Sequence, residues 1–174
     1  MRTCLLAAAA AGALLVATAA SAQPREYSVE EIAADLAYGF CPLFLADTFP
    51  LDSPQLAERG FAAAVEKQPH PRFGELQMVT ATREDGRVAF GGAAGKVCAV
   101  AIQGSRIEPA LDKLVETMSW TGLDFKPSDP AEPSIPGVTV QSFAAAADKQ
   151  TLNLQLIQSG GPTPTLVAQL FVTE

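Results

Sequence analysis

Residues 75–103 read ELQMVTATREDGRVAFGGAAGKVCAVAIQ, and this stretch decides the fold class. Segments 76–82 and 87–90 have strand composition, and Asp85-Gly86 between them suits the positive φ angles of a tight hairpin. Gly91-Gly92-Ala93-Ala94-Gly95 then reads as a flexible connection to a third strand, 96–103. On that strand Cys98, Val100 and Ile102 share one face, because strand side chains alternate. An antiparallel three-strand meander follows from these signals.

Upstream, Ser28-Val29-Glu30-Glu31 forms a capping box, in which hydroxyl and carboxylate satisfy amides that the first helical turn leaves free. Val29, Ile32, Ala33, Leu36 and Phe40 then give one apolar stripe, which Gly39 and Pro42 are expected to end with Cys41 at the helix exit. A shorter helix is predicted over 54–59, with Asp52 or Ser53 as cap and Gly60 as stop.

Downstream, Ser105-Arg106-Ile107-Glu108 repeats the capping-box pattern ahead of a stripe made by Ile107, Leu111, Leu114, Val115 and Met118. Pro109 falls in the first turn, where no intrahelical bond is lost, so the helix runs to about Ser119. A proline-rich loop over 127–136 separates it from strands predicted at 138–145, 151–158 and 165–172. Leu152, Leu154 and Leu156 alternate with other residues, as do Leu166, Ala168 and Leu170, which is the signature of a sheet with one buried face. The expected fold is α+β: an antiparallel sheet of about six strands in two three-strand meanders, helices on one face. The matching order of elements from Pro54 and from Ser105 suggests two α-βββ repeats.

The first 22 residues read as a cleavable export signal: Arg2, an alanine-rich apolar run from Leu5 to Ala20, and small residues at Ala20-Ser21-Ala22. Cleavage between Ala22 and Gln23 is expected, leaving 23–174 as a single α+β domain. The apolar run is shorter than the roughly 20 residues a spanning helix needs. Cys4 precedes the run and would leave with it, so this is not a lipidated cysteine. Of 12 basic residues one is lost, and 11 against 19 acidic ones leave a net charge near −8. That balance argues against nucleic acid or anionic lipid as partner. The destination is periplasmic or secreted, an oxidising compartment in which Cys41 and Cys98 are expected to pair.

No chemical signature emerges. Ser159-Gly160-Gly161-Pro162 resembles the end of the nucleophile motif of chymotrypsin-like proteases, and His70 lies upstream. The resemblance covers four residues, however: Gln158 stands where that motif has aspartate, and His70 sits between prolines. A surface turn accounts for the segment. Gly91–Lys96 fails as a phosphate loop because Phe90 and Val97 stand at its key positions. One histidine and a paired cysteine set leave too few zinc ligands. Asp124, Asp129 and Glu132 offer oxygen ligands in a spacing that matches no calcium loop. No cofactor, metal site or catalytic residue is therefore assigned.

Trp120, the sole tryptophan, follows the amphipathic helix near Leu123 and Phe125, and reads as a core-edge aromatic with ligand stacking as its alternative. The apolar segment around Phe44 is expected to pack under the first helix. Trp120, Phe125 and Phe44 form the candidate interaction surface. The leading expectation is a non-catalytic exported domain that binds a protein or small molecule. The alternatives are a small secreted hydrolase with a carboxylate or serine site and an envelope-structural protein.

Overall fold

Ser28 starts the first helix as its side-chain chemistry requires. In α1 (Val29–Asp35), Glu31 N donates to Ser28 Oγ at 3.4 Å and Ser28 N to Glu31 Oε2 at 3.1 Å. Val29 N also donates to Asp85 Oδ2 at 3.1 Å, so the aspartate of the hairpin caps the helix across the fold. The computed structural model describes residues 27–130, 135–147 and 149–173; the export segment, with Cys4, Ala22 and Gln23, lies outside them, as does Glu132.

The helical run does not end at Gly39. A π-helical turn, Leu36–Phe40, carries it into α2 (Cys41–Leu45), which has Pro42 in its first turn. Cys41 N–H reaches back five residues to Leu36 O. In a regular helix Pro42 would lose a hydrogen bond and press on the preceding turn; the widened turn absorbs it, and the proline redirects the helix instead of stopping it. Then comes α3 (Pro54–Ala57), shorter than expected, capped by Ser53 Oγ accepting from Gln55 N at 3.3 Å.

The long helix α4 (Ile107–Met118) begins where predicted, but the Ser105 capping box does not form. Arg106 occupies the N-cap with no side-chain cap bond, and its guanidinium pairs with Glu30 of α1. Glu108 accepts from Gln158 Nε2 at 2.6 Å. Tertiary partners have taken the groups the local motif would have used. The Arg106 contact also holds the Glu30 carboxyl below its ordinary range.

Eight strands, not six, form one antiparallel sheet. They are β1 (Glu66–His70), β2 (Gly74–Arg83), β3 (Gly86–Ala93), β4 (Val97–Gln103), β5 (Lys126–Pro127), β6 (Val138–Ala147), β7 (Gln150–Ser159) and β8 (Thr165–Thr173), in the order β1-β2-β3-β4-β8-β7-β6-β5. The two additional strands are the edges. β1 carries Pro69, which an edge strand tolerates, and β5 is a two-residue pairing at the start of the proline-rich loop. Each half thus contributes four strands where three were expected, and the halves meet at β4 and β8.

Gly91 and Gly92 also depart from expectation, lying inside β3 opposite Ala99 and Cys98 instead of in a flexible connection. Their φ angles are +148° and +146°, and a Cβ would fall 2.0 Å from Gln77 O at Gly91 and 2.1 Å from Val97 O at Gly92. Glycine is required here for close strand approach.

The helices cover one face of the sheet. Phe90, Ile102, Leu154 and Leu166 from that face meet Ile32, Leu36 and Leu114, all at most 1 % exposed. Cys41 and Cys98 are bonded as expected, with Cα atoms 5.4 Å apart, fastening α2 to β4. No described helix is long and apolar enough to cross a membrane.

Candidate functional site

The C-terminal end of α4 determines the shape of the site. Ser119 N and Trp120 N bond back to Glu116 O and Thr117 O, and Thr121 Oγ1 caps Met118 O at 2.9 Å. Gly122, with φ +75°, then turns the chain back toward the sheet. This reversal brings Trp120 and Phe125 to the same cavity from opposite ends of one short loop.

The cavity has a volume of about 310 Å³. Trp120, Leu123 and Phe125 line the loop side, Leu152 and Leu170 the sheet side, and Tyr38 and Pro42 the side of the π-helical turn. Trp120 is 69 % exposed, so it forms a rim and not a piece of core, which corrects the core-edge reading. π-Helical turns concentrate at functional sites, and this one places Tyr38 and Pro42 on the wall. Tyr38 is oriented by donating its hydroxyl to Leu114 O at 2.8 Å, and burial pushes its phenol well above the ordinary range, so it stays a protonated donor.

Charges near the rim are already neutralised in pairs. Lys113 Nζ lies 5.2 Å from the centre of the Trp120 ring and 2.9 Å from Glu116 Oε2. Lys126 Nζ lies 2.7 Å from Asp124 Oδ1. Within the lining, Thr117 Oγ1 is buried and is the one buried side-chain polar atom without a hydrogen-bond partner among the described residues.

Of the three aromatic residues expected at an interaction surface, Phe44 is not part of this site. It is 4 % exposed and packs edge-on against Phe90, ring centres 5.8 Å apart, at the border of another cleft of about 510 Å³. Asp47, Glu75 and Lys96 line that cleft, which makes it the more polar of the two. Sequence reading missed Tyr38, Pro42, Thr117, Leu152 and Leu170 as wall residues. The available signal was Pro42 following Gly39 within an apolar stripe, a pattern that marks a helix distortion as well as a helix end.

His70 and Ser159 are not brought together. Their strands, β1 and β7, are separated by β2, β3, β4 and β8, roughly 24 Å at ordinary strand spacing. His70 Nδ1 accepts from Arg72 N at 3.2 Å and Phe73 N at 3.3 Å, so it has no proton there to give an orienting carboxylate. Asp124 is spent on Lys126 and Asp129 is exposed. No group of three or more metal-ligating side chains occurs among the described residues. Neither family models nor curated proteins nor solved structures match this chain.

Proposed function

We propose that this chain is an exported, non-catalytic binding protein that receives an apolar group in the cavity beneath Trp120. One observation carries the reading: an apolar cavity of about 310 Å³, walled by Tyr38, Trp120 and Phe125, opens where the largest aromatic side chain of the sequence stands 69 % exposed. Small-ligand sites have this character, concave and mostly apolar with a few placed polar groups, and this one lies at the lower end of their size range. Export is supported by the apolar segment ending at Ala20-Ser21-Ala22 and by the bond between Cys41 and Cys98.

Because Trp120 is the sole tryptophan, its fluorescence reports on this site alone. Titration of the mature protein with the uncharged apolar probe phenylnaphthylamine should give saturable probe emission and quench Trp120. Trp120→Ala should weaken probe binding about ten-fold, by loss of stacking worth roughly 1 kcal/mol and buried aromatic area besides. Absence of saturation, or equal binding by the variant, overturns the reading. Secretion from a bacterial host followed by N-terminal sequencing should find Gln23 first; retention of residues 1–22 removes the export claim.

A further inference from the structure

The cavity's lining carries more information than its size, and it narrows the ligand. A buried hydroxyl with no partner is costly, so such atoms are rare and call for an explanation. Thr117 Oγ1 is such an atom, in the wall that Trp120 and Phe125 share. A threonine in mid-helix ordinarily returns its hydroxyl to a carbonyl of the preceding turn; this one does not. The charged side chains at the rim, Lys113 and Lys126, are each bonded to a carboxylate, so an ionic ligand would have to displace Glu116 or Asp124 to be paired.

Resting on the reading above, we propose that the cavity selects an uncharged aromatic molecule carrying one hydroxyl or carbonyl group, which hydrogen-bonds Thr117 Oγ1 while its ring lies against Trp120 and Phe125. The aromatic walls favour a flat π-system in offset or edge contact. The hydroxyl serves as donor to a carbonyl or as acceptor from an alcohol, since it has both capacities. The neutral rim gives a carboxylate or an ammonium no free counter-charge.

Three probes of similar shape separate the claims: naphthalene, naphthol and naphthoate, each measured by equilibrium dialysis against the mature protein, Thr117→Val and Thr117→Ser. Valine keeps the shape of threonine without its hydroxyl, and serine keeps the hydroxyl. Naphthol should bind about five-fold tighter than naphthalene to the wild type and to Thr117→Ser, and no tighter than naphthalene to Thr117→Val. Naphthoate should bind weakest of the three. Equal binding of naphthol and naphthalene by the wild type, or naphthoate binding as tightly as naphthol, overturns this inference and leaves the apolar cavity standing. Failure of all three to bind overturns both. Should Thr117→Val not fold, the wild-type ratio and its retention in Thr117→Ser still decide the matter.

Discussion

Removing the bond between Cys41 and Cys98 is the perturbation whose size follows most directly from the chain. The two residues are 57 apart, and closing a loop of that length removes about 14 cal/mol/K of denatured-state entropy, or about 4 kcal/mol at room temperature. Total stability of a domain this size is about 5–15 kcal/mol, so the bond supplies a large fraction of it. Replacing both cysteines by alanine is preferable to serine, because both are fully buried and serine would leave two hydroxyls without water. At about 2–4 °C per kcal/mol, the double variant should melt roughly 8–16 °C lower than the wild type. Urea titration followed by circular dichroism gives the same quantity independently, and the slope should rise, since the uncrosslinked chain exposes more surface on unfolding. Each single alanine variant should lose nearly as much as the pair, because either change abolishes the bond. A loss below about 1 kcal/mol in the double variant would refute the loop-entropy argument.

Further outcomes follow from contacts on both faces of the fold. The pairing with Arg106 lowers the Glu30 carboxyl from its reference value of 4.5, so its stabilisation is complete above that pH and is lost as pH falls through the lower folded value. Glu30→Gln should therefore lower the urea midpoint at neutral pH and leave it nearer the wild type at about pH 3; an equal deficit at both would exclude the charge contribution. Gly91→Ala should destabilise by at least about 2 kcal/mol, since its Cβ would fall 2.0 Å from Gln77 O. Gly122→Ala, where a Cβ meets nothing within 4 Å, should lose only about 1 kcal/mol to its left-handed backbone, and equal melting points for the two variants would dispose of the close-approach argument.

Much of the fold was legible because several signals agreed at the same residues. Asp85-Gly86 lies at the turn between β2 and β3, and the alternating leucines of β7 and β8 turn one side to the core, both as expected from pattern. Ser28 and Glu31 form their box because no distant group competes for them. Ser105 and Glu108 carry the same motif and do not form it, because Glu30 and Gln158, far along the chain, claim Arg106 and Glu108. β1 was illegible for a different reason: Glu66-Lys67-Gln68-Pro69-His70 has no apolar alternation and joins the sheet through its backbone. The site was half legible. Trp120 and Phe125 could be singled out as aromatics next to a helix end, but their cavity needs Tyr38 from a distorted helix and Leu170 from the far end of the chain. Those neighbours are products of topology and leave no local pattern.

The meeting of β4 with β8 at the centre of the sheet has a consequence for how the molecule is made. β4 is buried along most of its length, and its partner on one side is the last strand to leave the ribosome or a translocation pore. Until residues 165–173 arrive, β4 presents an open apolar edge, the kind that recruits other chains. The two halves can each form hairpins early, yet the seam between them is a long-range contact that closes late. Synthesis of this chain therefore ends on its most consequential strand, and truncation within residues 165–173 should yield aggregates in place of a smaller folded protein.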